Sequence, residues 1–172
     1  YNIDHLNNGK ILLTLYQVTG KEKYKKAIDL LQTQLKSHPR NSLGGFWHKK
    51  IYPNQMWLDG LYMGAAFYAQ YAAAFHDTIA FNDITRQFVL AEQYTRDART
   101  GLLYHAWDES KQQKWADPTT GKSPHIWGRA MGWYAMALVD ALDYYPENHV
   151  GRDSLIQILQ RWSAAVAKVQ DS

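Results

Sequence analysis

Residues 56–75 read MWLDGLYMGAAFYAQYAAAF, a run whose one charged side chain is Asp59 and which is otherwise apolar or aromatic nearly all round. Residues 127–145, WGRAMGWYAMALVDALDYY, are of the same kind. Helices that are apolar nearly all round must be buried on every side, so both runs are expected as interior helices. Residues 21–37 contrast with them. There Lys23, Lys25, Lys26, Asp29, Gln32, Gln34 and Lys36 surround a stripe of Ala27, Leu30, Leu31 and Leu35, which reads as a surface helix.

Period and punctuation predict six helices: about Asp4–Val18 (stopping at Gly20), Lys21–Ser37 (before Pro39), Met56–Phe75, Phe81–Thr95, Trp127–Tyr144 (before Pro146), and one from about Arg152 to the C-terminus. The first, third and fifth are of the buried type. The second, fourth and sixth are amphipathic, so interior and surface helices alternate. Short turns join them in pairs as antiparallel hairpins. Two long segments, His38–Gln55 and Arg96–Ile126, separate the hairpins, and long loops are usually functional. Both hold Gly and alternating aromatics, GGFWHKKIY at 44–52 and GLLYHAWDE at 101–109, which suggest short strands. This pattern predicts an all-α toroid whose interior helices start at one shared end, with both long loops there. No linker or low-complexity tract divides the chain, so residues 1–172 read as one domain. The spacing from Asp4 to Asp59 to Arg129 is uneven, which disfavours a fixed-period solenoid.

Composition narrows function. A 46% hydrophobic fraction can build a core, and the absence of Cys removes disulfide scaffolds, thiol catalysis and Cys-ligated metals. No stretch reaches the uninterrupted run of roughly 20 apolar residues that spans a bilayer, so no membrane partner is expected. The net charge of +3 is spread along the chain and outlines no basic groove, so nucleic acid is not expected either. The chain has neither HExxH nor close His pairs, and no P-loop, GxGxxG or GxSxG, so no metal and no nucleotide cofactor is expected. Tyr1 is not an initiator Met and no signal segment precedes Asp4, which suggests a processed or truncated piece of something longer.

Asp4, His48, Trp57, Asp59, His105, Trp107, Arg129 and Trp133 all map to the shared end. Asp59, in the opening turns of an apolar helix, is expensive unless hydrogen-bonded, and desolvation would move it toward the general-acid range. Asp4 either tunes it by like-charge repulsion or merely caps its own helix, and for Asp4 alone the cap is the better reading. Arg129 is either a clamp on loop carbonyls or a carboxylate receptor. The tryptophans suit the apolar face of a sugar or plain core, and Trp162 reads as core. Two acids, two His, an Arg and stacking indoles together suggest an acidic carbohydrate.

Three runs, HKKIYPNQMWLDGLYMGAAFYAQYA at 48–72, GLLYHAWDES at 101–110 and SPHIWGRAMGWYAMALVDALDYYP at 123–146, closely resemble the unsaturated rhamnogalacturonyl hydrolases of glycoside hydrolase family 105, relatives of the family 88 unsaturated glucuronyl hydrolases. The resemblance implies a partial (α/α)6 barrel of about three hairpins, like the central half of a family member. It implies that the Asp of the W-x-D-x-x-x-M motif, Asp59, is the general acid/base, with Asp4 as the second catalytic carboxylate. It places His48, Trp57, His105, Arg129 and Trp133 as substrate-binding residues. Ala130-Met131 replaces the Gly-Asn or Gly-Gln of many relatives, a departure that touches subsite detail. The implied reaction hydrates the vinyl ether of a 4,5-unsaturated uronic acid at the non-reducing end of a lyase-generated oligosaccharide, with no cofactor. The full-length protein is expected to be a monomer, and cytoplasmic, periplasmic and secreted placements stay open. The alternative reading is a non-catalytic carbohydrate-binding or scaffold fragment.

Overall fold

A computed structural model describes residues 1–171. A 3-10 segment, Ile3–Asn8, leads into α1 (Gly9–Thr19), which stops at Gly20 in the left-handed conformation (φ 62°). After α2 (Glu22–Lys36) the chain runs irregularly to β1 (Gln55–Trp57). A helical rod follows without a break: α3 (Leu58–Gly60), a π-helical turn (Leu61–Ala65) and α4 (Ala66–Ala74). Then come α5 (Ala80–Thr95), β2 (Ala106–Asp108), α6 (Gly128–Leu142) and α7 (Val150–Ala167). No described helix is long and apolar enough to cross a membrane.

The all-α toroid arrangement holds as an arc of three hairpins. α1, the rod over 58–74 and α6 form the inner row, with the rod in contact with both others. α2, α5 and α7 form the outer row, and α5 is tied to α7 by Glu92. That buried carboxylate receives Arg161 Nε and Nη2 at 2.9 and 2.7 Å, and Arg96 from its own helix. The main core (Phe81, Ile84, Phe88, Tyr134, Leu138, Leu155, Ile158) fills the space between the second and third hairpins, and Trp162 packs against it as expected. A second cluster (Ile3, Leu6, Leu13, Ile28, Leu35, Phe67) seals the first hairpin.

Three expectations change. Met56 and Trp57 are strand, not the start of the helix, because residues 55–57 pair antiparallel with 106–108, Trp57 opposite Ala106 and Gln55 opposite Asp108. GGFWHKKIY forms only isolated bridges. The inner helices are not buried on every side: Ile11 of α1 and Met136 and Val139 of α6 are exposed. The physical reason is position, since only the middle rod has an inner neighbour on both flanks.

Candidate active site

The middle rod delivers Asp59 to the shared end, and two glycines permit the close packing around it. A Cβ on Gly60 would lie 3.1 Å from His48 Nδ1, and one on Gly64 would lie 2.7 Å from Ile3. Their absence lets the 3-10 segment and the His48 loop press against the helix start. The Leu58 N–H donates to the His105 carbonyl at 3.0 Å, which ties the rod's first turn to the second long loop.

Asp59 is 7% exposed. The Arg129 Nη2 donates to its Oδ1 at 2.8 Å across 70 residues of sequence. Oδ2 is buried without a protein partner. Sequence reasoning requires a hydrogen bond for a carboxylate buried here, and the Arg129 guanidinium supplies it. Arg129 therefore pairs with a carboxylate of the protein itself, where sequence reasoning weighs a clamp on loop carbonyls against a receptor for a carboxylate. The guanidinium is half exposed and lies 3.6 Å over the Trp127 ring, where cation–π attraction orients it.

Asp4 is not a cap. The Asn2 side chain accepts its N–H at 3.0 Å and takes that role, which leaves the Asp4 carboxylate free. Its Oδ1 is 3.4 Å from His48 Nε2 and its Oδ2 is 3.1 Å from Lys49 Nζ. Burial pushes the His48 pKa down to about 4, and Lys49 adds to this while Asp4 and Asp59 oppose it. His48 is therefore neutral at pH 7, and its contact with Asp4 is not an ion pair. Its Nδ1, like the Asp59 Oδ2, is buried without a protein partner.

Aromatic stacking holds this wall. His48 stacks on Trp57 at 4.4 Å and 7°, and Tyr52 covers the other indole face at 5.3 Å and 10°. Trp57 Nε1 donates to Gln55 Oε1 at 2.9 Å. His105 meets Trp57 and Trp127 edge-on at 6.4 and 6.2 Å, and burial pushes its pKa down. A cavity of about 480 Å³ opens between His105, His125, Ile126 and Trp127. Trp133 lies one turn along α6 from Arg129, 4.5 Å from Tyr62, whose ring also carries Lys10 Nζ at 3.3 Å.

Asp59, Arg129, His48, Asp4, Trp57 and His105 are thus brought together. Trp107 is not among them: it is buried, stacked at 4.0 Å on Tyr94 with its N–H on the Thr120 carbonyl. Sequence reasoning missed Lys49 and Tyr52. The signal for Tyr52 was available in the Tyr-Pro-Asn turn leading into the W-x-D motif; Lys49 looked like any surface lysine.

A family model described as Glycosyl Hydrolase Family 88 matches residues 1–172. The chain belongs to that family of glycoside hydrolases, and its relatives place it with the members grouped as family 105. It is 30% identical over 176 residues to the unsaturated rhamnogalacturonyl hydrolase YesR of Bacillus subtilis (strain 168), covering 99% of this chain and 49% of that protein. A solved family 105 glycoside hydrolase from C. acetobutylicum ATCC 824 is 58% identical, superposes with a TM-score of 0.98, and is matched over 99% of this chain and 48% of its own. A solved possible family 105 member from Klebsiella pneumoniae is 27% identical with a TM-score of 0.79, over 93% of this chain and 42% of its own. The chain spans about half the length of these relatives.

Proposed function

We propose that this chain carries the catalytic wall of an unsaturated rhamnogalacturonyl hydrolase, releasing a 4,5-unsaturated uronic acid from the non-reducing end of rhamnogalacturonan-type oligosaccharides. The observation that carries this reading is a buried Asp59 with one oxygen on Arg129 and the other open. Trp57 and Trp127 flank His105 beside it. The name of the YesR relative supports the substrate class.

Asp59 Oδ2 delivers a proton to C4 of the C4=C5 bond, and the ring oxygen shares the positive charge that develops at C5. Arg129 stays on Oδ1 and holds the carboxyl in place while it loses and regains the proton. The carboxylate then takes a proton from a water that adds to C5. The hemiketal opens by breaking the C5–ring oxygen bond, leaving a ketone at C5. The C1 hemiacetal breaks down to an aldehyde and expels the aglycone, so one water is consumed in all. Trp133 offers a ring face to the sugar, Trp57, stacked between His48 and Tyr52, offers its indole edge, and His48 and His105, both neutral, offer hydrogen bonds to its hydroxyls.

The products test this. Hydration removes the ultraviolet band of the unsaturated uronate and yields a keto-uronate. Displacement at the anomeric carbon, the route of ordinary two-carboxylate glycosidases, would release a sugar with its double bond intact and would overturn the assignment. Binding of the oligosaccharide with no turnover would favour a carbohydrate-binding module.

A further inference from the structure

One turn along from the Asp59–Arg129 pair, the same two helices touch again. Tyr62 follows Asp59 in the π-helical turn Leu61–Ala65, and Trp133 follows Arg129 in α6. Side chains three or four residues apart share a helix face, so the Tyr62–Trp133 contact is the next rung under the reactive carboxylate. The two rings are 4.5 Å apart and tilted by 36°. Both residues are only partly buried, so core packing alone does not fix their rings. π-helical turns are rare and concentrate at functional sites.

The first inner helix reaches this rung through Lys10. Its Nζ lies 3.3 Å from the Tyr62 ring centroid, buried and without a hydrogen-bond partner. Asp140 Oδ2, at 3.8 Å, is too far to accept a hydrogen bond, which leaves the ring face as the closer partner. An ammonium taken out of water is costly unless compensated, and an aromatic face compensates part of that cost. Burial lowers the Lys10 pKa, and Asp140 opposes this and favours the charged form. Lys10, Tyr62 and Trp133 thus make a stack drawn from α1, the middle rod and α6. The proposed reaction makes no use of Lys10, and its covered ammonium is not open to a sugar, so any effect on the reaction passes through the rings.

We propose that Lys10 is a positioning residue: its ammonium holds the Tyr62 ring against Trp133 and so sets the indole face that meets the sugar. This rests on the sugar-facing role given to Trp133 above. The test is steady-state kinetics of the enzyme on an unsaturated uronyl disaccharide. Lys10→Met keeps the length of the side chain and removes the charge. It should raise KM by about two- to tenfold, within what one cation–π contact supplies, with kcat little changed because Asp59 and Arg129 are untouched. Lys10→Arg, which returns a cation to the ring, should recover most of the loss. Tyr62→Leu, which removes the ring and leaves Lys10, should raise KM likewise, and it carries the comparison if Lys10→Met does not fold. A purely structural role would lower the melting temperature and leave KM of the folded fraction at the parent value. The route through Trp133 is read from the double variant: with Trp133→Ala already present, Lys10→Met should add no further rise. An unchanged KM in Lys10→Met, or the same rise in the presence of Trp133→Ala, overturns the proposal. If the parent turns over no substrate, the reaction assignment fails, and the same variants are compared by calorimetric binding of the disaccharide. Weaker binding in Lys10→Met that disappears in the Trp133→Ala background supports the positioning role. Equal binding, or no binding by the parent, overturns it.

Discussion

Asp59→Asn keeps the size of the side chain and an oxygen for Arg129 but removes the proton donor, so turnover should fall by about 10²–10⁴-fold while oligosaccharide binding changes little. Measuring melting temperature and rate on the same preparation separates this from a purely structural role, which would lower stability and leave the folded fraction active. His48 makes a different prediction. Its folded pKa, about 4, lies below the ordinary 6.5 because burial disfavours the charged form. The folded state therefore binds fewer protons there, and stability from this group is full above about 6.5 and drains as pH falls toward 4. Glu92 also contributes to acid sensitivity: burial would raise its pKa, but the bonds from Arg161 and Arg96 outweigh that and hold it low. The comparison of interest is therefore between variants. His48→Gln should lose less stability than the parent between pH 7 and pH 4, by something on the order of 1–3 kcal/mol, in denaturant titrations at the two pH values. Equal losses would show that His48 is not buried neutral.

Two helical glycines give the same substitution opposite signs. Gly64 lies in the π-helical turn, and a Cβ there would meet Ile3 at 2.7 Å. Gly64→Ala should destabilise by about 1–3 kcal/mol and push the 3-10 segment, with Asp4, away from His48. Gly132, inside α6, has nothing within 4 Å of the same position. Gly132→Ala should stabilise by up to about 1 kcal/mol through helix propensity alone. Thermal melts of the two variants beside the parent check the pair, and a destabilised Gly132→Ala would mean that α6 is packed differently. The element most at odds with sequence reasoning is β1. Met56 and Trp57 read as the opening of a helix because they continue the rod's apolar pattern, and only pairing with 106–108 makes them strand. That pairing, 50 residues away in sequence, is what draws Trp57 and His105 together.

Across the arc, the inner row ends in uncovered apolar faces on both flanks, Ile11 on α1 and Met136 and Val139 on α6. Contiguous exposed apolar surface drives association, so the 172-residue chain should self-associate with rising concentration in light scattering. Met136→Lys with Val139→Lys should reduce this without lowering the melting temperature, since neither side chain is in the core. Unchanged association would locate the sticky surface elsewhere. Much of the molecule was legible in the residues alone. Hydrophobic period is a local property, so six helices, their alternation between interior and surface, the hairpin pairing and the shared end could be read from it. So could Asp59, because a lone carboxylate in an apolar helix is chemically conspicuous wherever that helix lies. The partnerships were decided by tertiary structure. Arg129 could have clamped carbonyls, and Asp4 could have capped its helix. It took the approach of α6 to the middle rod, and the prior claim of Asn2 on the Asp4 N–H, to settle both. The exposed flanks of α1 and α6 belong to the same class. An apolar sequence states that a helix face avoids water, but whether a neighbour covers that face depends on which elements stand beside it in space.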